Sequence, residues 1–138
     1  YLKVLFADYD QHFAIIELIG EWNDAVHNDI MFLKRELIDE MVSEGIYYYI
    51  LIGENVLNYH GDDDSYYEEW KEDLEEYNGW VVLLNMQDHV IDEMRETRLD
   101  NYLHFGGIFN DINWRPHKPQ RVFAAIEGVL SQEEKRLD

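Results

Sequence analysis

Cysteine is missing from all 138 residues, which removes disulfides and thiol chemistry and fits a reducing interior. Basic side chains are scarce: 11 Lys and Arg stand against 30 Asp and Glu, for a formal net charge of -19 and a pI near 4.4. A surface this acidic repels phosphate backbones and anionic lipid, which argues against nucleic acid and membranes. Basic protein surfaces and divalent cations remain as partners. Long apolar runs are missing too. The longest, such as Ile46 to Ile52, are strand length and too short to span a bilayer. No segment has the pattern of a signal peptide, and a cytoplasmic setting is the expectation. The chain starts at Tyr1 rather than methionine, so whether a short piece precedes it stays open. Repeats, low-complexity linkers and internal boundaries are also lacking. With 46% hydrophobic residues, the expectation is a single domain spanning residues 1–138.

What is present alternates in a regular way. Leu2 to Asp8 and Phe13 to Ile19 read as two strands joined by a turn over Tyr9 to His12, with Gly20-Glu-Trp22 ending the second. A helix is predicted from about Asp24 to Glu44, with Val26, Ile30, Leu33, Leu37 and Met41 on one face and Gly45 closing it. Ile46 to Ile52 is apolar throughout, as a strand buried on both faces should be. Further elements follow in the same rhythm: a helix from Tyr66 to Asn78, a strand at Trp80 to Asn85, a helix from Asp88 to Thr97, and a short strand at Tyr102 to Phe105. Pro119 suits the first turn of a last helix carrying Val122, Phe123, Ile126, Val129 and Leu130, with a frayed charged tail from Gln132 to Asp138. The order β-β-α-β-α-β-α-β-α predicts an α/β fold: a mixed, mostly parallel five-stranded sheet with helices packed against it.

The motifs of common chemistry are lacking. None of Ser43, Ser65 and Ser131 lies in Gly-x-Ser-x-Gly, the six histidines are scattered singly, and Gly-x-Gly-x-x-Gly is absent. No cofactor is expected, and no catalytic residue is assigned. The Asn110 to His117 segment reads as a covering loop with Trp114 against the sheet edge.

The informative stretch is Asn58-Tyr-His-Gly-Asp-Asp-Asp-Ser65, read as a polar loop beyond the carboxyl end of a buried strand, where open α/β sheets carry binding groups. From Glu54 to Asn78 there are ten acids and one base, Lys71, with five aromatics interleaved. Helical spacing turns Tyr66, Trp70, Leu74 and Tyr77 toward the core and leaves Tyr67 for a partner. Ser65-Tyr-Tyr-Glu68 matches a capping box, in which the Ser65 hydroxyl accepts a backbone N–H and Glu68 reaches back. The partner-binding or regulatory candidates are therefore Asp62, Asp63, Asp64, Ser65 and Tyr67. His60, Asp62 and Asp64 are candidate ligands for a divalent cation, which would make the chain a metal-dependent enzyme or sensor. The run lacks the ligand spacing of a calcium loop.

Three segments resemble the STAS family, best known for anti-sigma-factor antagonists. Ile15-Ile-Glu-Leu-Ile-Gly-Glu21 is similar to the family's second strand with its terminal glycine. Trp80 to Asn85 with Val90 to Asp100 is similar to a strand, a helix and its Leu-Asp ending, and Arg121-Val-Phe-Ala-Ala-Ile126 to the closing helix. The resemblance implies a non-enzymatic, regulatory domain that binds a protein, here one with a basic surface met through the acidic loop and the helix after it. The family's phosphorylated Asp-Ser-Ser-Gly turn is matched only by Asp64-Ser65, followed here by Tyr66 and Tyr67. The free edge of the hairpin also offers homodimer pairing across a two-fold axis.

Overall fold

The computed structural model describes residues 1–137, with side chains described through Gln132. Its sheet has four strands in the order β1-β2-β3-β4: β1 Leu2–Asp8, β2 Phe13–Asn23, β3 Tyr48–His60 and β4 Trp80–Leu84. β1 runs antiparallel to β2, while β2, β3 and β4 are mutually parallel. The hairpin turn is held by Asp8, whose Oδ1 accepts the backbone N–H groups of Asp10 and Gln11, both at 2.9 Å. β1 is the free edge. A register shift between Val4 and Phe6 interrupts it, as edge strands commonly do to discourage pairing with another chain.

Strand parity divides the core. Ala14, Ile16 and Leu18 of β2, Tyr49 and Leu51 of β3, and Val81 and Leu83 of β4 face one layer of helices. Phe13, Ile15, Ile50, Ile52, Val82 and Leu84 face the other way, onto Val122, Phe123 and Ile126. The Phe13 and Phe123 rings stack at 4.4 Å. Burial on both faces is why the central strands carry unbroken apolar runs.

The first layer begins with α1 Asp29–Leu33, which passes through a π turn at Lys34–Ile38 into α2 Asp39–Ser43. It continues with α3 Ser65–Glu75 and α4 Asp88–Glu96; α5 Pro119–Leu137 covers the opposite face. α5 carries the helix through the predicted frayed tail as far as Leu137, and Asp138 lies outside the described residues.

Four expectations are corrected. The fifth strand shrinks to one parallel bridge, Val82 with His104, formed by Leu83 N–H to His104 O (2.8 Å) and His104 N–H to Val81 O (2.9 Å). Gly106 and Gly107, both at positive φ, then turn the chain away before pairing extends. Gly20 does not end β2. It sits at φ +95°, paired with Val56 between two register shifts whose extra residues both lie on β3, and pairing continues to Asn23. The first helix starts five residues late, because Asn23 and Asp24 turn their side chains onto the backbone. Asn23 Oδ1 accepts Val26 N–H at 2.9 Å and Asp24 Oδ1 accepts Ile30 N–H at 2.8 Å. Val26 is consequently exposed, and Ile38 rather than Leu37 is buried in the π turn. Finally, β3 runs to His60, so Asn58, Tyr59 and His60 are strand residues paired with Glu21, Trp22 and Asn23, and the loop reduces to residues 61–64.

Candidate functional site

The loop at 61–64 leads into α3 beyond the paired ends of β2 and β3. Asp62 and Asp63 are exposed and Asp64 is half-buried. The capping box does not form: α3 begins at Ser65, and Asp63 Oδ1 accepts the Ser65 N–H at 2.8 Å. The N–H that the Ser65 hydroxyl would have accepted, that of Glu68, goes instead to the Asp64 carbonyl at 3.0 Å, while the Asp63 carboxylate adds a favourable charge at the helix N-terminus. Ser65 itself is exposed. Asp64 Oδ2 accepts the Tyr102 hydroxyl at 2.8 Å, tying the loop to the segment after α4. That bond to a carboxylate, ahead of burial, pushes the Tyr102 hydroxyl up to about 12.

Tyr67 is not on the surface. α3 buries Trp70 and Leu74 as expected, but with them Tyr67 in place of Tyr66, and Tyr77, beyond its end, is exposed. The Tyr67 hydroxyl donates to Asp24 Oδ2 at 2.6 Å and accepts from Trp22 Nε1 at 2.9 Å. Burial, then the neighbouring Asp24 charge, drives this phenol well above its ordinary value. Burial also raises Asp24, against hydrogen bonds from Tyr67 and Ile30 that lower it. Tyr67 is thus the polar anchor of α3 on β2, and its hydroxyl serves two buried groups at once: the Asp24 oxygen that Ile30 does not reach and the Trp22 indole N–H.

The candidate metal ligands are not brought together. His60 Nε2 faces Glu21 Oε1 at 3.0 Å across the strand pair, while Asp64 is held by Tyr102. His60 and Asp64 are thus committed to different neighbours, and Asp62 between them is exposed. The carboxylates that do converge are Asp39, Glu69 and Asp73. Their cation is already there. Lys34, fully buried at the π turn, places Nζ against Asp39, 2.8 Å from Asp73 and 3.6 Å from Glu69. Arg35 completes the cluster with two bonds to Glu69, at 2.6 and 2.7 Å, and one to Asp39 at 2.8 Å. Burial would lower the Lys34 ammonium, but its bonds to Asp39 and Asp73 outweigh that and raise it. Hydrogen bonds from Arg35 hold Glu69 below the usual carboxylate range.

This clamp divides α3 electrically. The acids of α3 that face α1 and α2, Glu69 and Asp73, are paired with Lys34 and Arg35. Glu68, Glu72, Glu75 and Glu76 are exposed, and no ion pair among the described residues involves them. With Asp62 and Asp63 they form a strongly acidic surface around the N-terminal loop and outer face of α3, with the exposed Lys71, bonded to the Asn101 carbonyl at 3.0 Å, as the base on its flank.

A second polar centre escaped the sequence reading. Glu54, in β3, accepts Trp114 Nε1 at 2.7 Å and Asn85 Nδ2 at 3.1 Å, and pairs with Arg115 at 2.7 Å. Asn85 holds a left-handed φ of 57° just past β4 and bonds Ile112 through both N–H and carbonyl. Burial raises Glu54, but the three donors outweigh it and leave it lowered. The centre pins the segment after the last bridge across the sheet, with Trp114 partly buried against the α5-side core, as its covering role required. The available signal was an isolated acid in an apolar strand, which the count of loop acids had absorbed.

No family model and no curated protein matches the chain. Solved structures do. The anti-sigma factor antagonist SpoIIAA in its unphosphorylated form superposes with a TM-score of 0.62 at 14% identity, covering 93% of this chain and 97% of that one. The Bacillus cell fate determinant SpoIIAA in its phosphorylated form gives 0.51 at 14% identity, over 78% of this chain and 93% of that one. A candidate anti-sigma factor antagonist from Thermotoga maritima gives 0.59 at 16% identity, over 78% and 87%. At these identities the likeness speaks to fold: the chain has a STAS-like mixed α/β architecture.

Proposed function

We propose that this chain is a regulatory, protein-binding STAS-like domain spanning residues 1–138, without chemistry of its own, that meets a basic partner in the cytoplasm. The contacting surface is the loop at Asp62, Asp63 and Asp64 with the exposed face of α3. Two of the similar structures are of proteins named anti-sigma factor antagonists, and an analogy of fold makes protein binding the natural expectation. No helix among the described residues is long and apolar enough to cross a membrane. The observation that carries the reading is the division of α3 by the Lys34–Arg35 clamp. Glu69 and Asp73 are paired with cations of the clamp, and the exposed Glu68, Glu72, Glu75 and Glu76 are left on the outer side with the loop.

Ser65 stands beside that surface, exposed in the first turn of α3. A phosphate there would meet Asp62, Asp63, Glu68 and the helix dipole together. The carboxylates oppose a dianion, so an unmodified Ser65 is the resting form in this reading.

Charge-led recognition must weaken with ionic strength, because the screening length falls from about 10 Å at 0.1 M salt to about 3 Å at 1 M. Partners captured from lysate at low salt should elute as salt rises, and the double variant Glu72→Lys with Glu76→Lys should lose them while folding normally. Capture indifferent to both salt and this charge reversal would refute the proposed surface.

A further inference from the structure

Beside α1 lies an apolar groove of ≈ 380 Å³, open to solvent and walled by β1, β2 and the helix. Leu18, Leu33 and Val56 form its floor, and Phe32 and Leu37 rise along one side. Phe32 is 49% exposed, unusual for a phenylalanine on a helix otherwise turned to the core. The charged side chains lining the groove are Glu21, Asp29 and Glu36; among the described residues no Lys, Arg or His lines it. Glu21 also pairs with His60, the residue immediately before the acidic loop, so the rim continues into the proposed contact surface.

We propose that this groove seats the apolar side chains of a basic amphipathic segment of the protein partner, a deepening that rests on the function proposed above. Three features select that occupant. The volume falls at the low end of the roughly 300–1,000 Å³ typical of small-molecule sites, but the groove is open, which suits a segment whose other face stays in water. The acidic rim calls for Lys or Arg flanking the buried residues. A second copy of the chain fits poorly, since a two-fold contact would set Glu21, Asp29 and Glu36 against their own equivalents. The floor provides burial, Phe32 supplies an aromatic contact that half-waits for cover, and the rim selects sign.

The test uses a labelled synthetic amphipathic helix of leucine and lysine and a scrambled peptide of the same composition, with binding followed by fluorescence anisotropy. The amphipathic peptide should bind more tightly than the scrambled one. Phe32→Ala, which leaves the charge unchanged, should weaken it roughly fivefold. Glu36→Lys should weaken it as well, and NMR shift changes should centre on α1 and β2. Equal binding of both peptides, or binding unaffected by Phe32→Ala, overturns the groove. If Glu72→Lys with Glu76→Lys still abolishes binding in that case, the charged face of α3 stands without it. If that double variant is silent while Phe32→Ala weakens binding, the groove stands and the α3 surface falls. A wild-type dimer that Phe32→Ala converts to monomer would instead make a second copy the occupant and overturn the proposal.

Discussion

A single hydroxyl decides much of how this chain closes. Tyr67 is the donor to Asp24 and the acceptor for Trp22, and all three are buried. Replacing Tyr67 with Phe keeps the ring but leaves the Asp24 carboxylate short of a donor and Trp22 Nε1 short of an acceptor. A cost of about 1–3 kcal/mol for each unsatisfied group is ordinary. The pH dependence carries a definite sign. Because the folded carboxyl of Asp24 is raised, it favours the folded state below its unfolded value, and that contribution is lost as pH rises through the folded value. The Tyr67 bond counters this by favouring the ionised form. Tyr67→Phe should therefore lose more stability near pH 7 than near pH 4 in parallel denaturant titrations. A deficit that is constant with pH would mean that the hydroxyl does not serve the Asp24 charge.

Between elements, the Lys34 clamp is the joint that holds α1 and α2 to α3. Lys34→Met retains much of the buried stem but leaves Asp39, Glu69 and Asp73 converging with Arg35 as their remaining nearby cation. Breaking a fully buried ion pair costs about 3–5 kcal/mol. Here the carboxylate partners keep 36% and 39% of their side-chain surface in water, so a loss on the order of 2 kcal/mol is expected, measured by denaturant midpoint at pH 7. The loss should shrink in acid. Asp39 is lowered on balance, burial being outweighed by hydrogen bonds from Lys34 and Arg35, and Glu69 is lowered chiefly by Arg35. Their contribution is present above the unfolded values near pH 4 and disappears as pH falls through the folded ones. A variant as stable as the parent would show that Lys34 is retained for something other than this joint. The clamp was not legible in the sequence, where Lys34 reads as one more polar residue of an amphipathic helix. Apolar spacing did reveal α3, α4 and α5, because those faces have one thing to pack on. It misplaced the start of α1 and the ends of β2 and β3, where Asn23 and Asp24 act through side-chain capping and the β2–β3 pairing continues through register shifts that periodicity does not register. It also turned Tyr67 outward, since Tyr66 and Tyr67 lie four and three residues before Trp70 and both spacings suit the face that Trp70 and Leu74 bury.

Across the whole molecule, an excess of 19 negative charges must be kept on a small body. The internal clamps at Lys34 and at Glu54 with Arg115 use cations locally, which leaves most of the excess on the surface. Self-repulsion of that surface opposes compactness, while screening by salt relieves it over separations beyond about 10 Å at 0.1 M. The half-exposed pairs of the clamp weaken under the same screening, but each such pair contributes only about 0–1 kcal/mol. Repulsion involves far more charges and should dominate. Sodium chloride added from near zero to about 0.3 M should therefore raise the melting temperature, by about 2–8 °C for each kcal/mol gained in a domain of this size. The same titration should weaken capture of a basic partner, so stability and affinity should move in opposite directions. Chloride is the salt to use, since sulfate would strengthen apolar burial by itself. A melting temperature that falls over this range would mean that the local ion pairs outweigh the collective repulsion, and that the exposed acids are too well dispersed to form the acidic surface on which partner recognition depends.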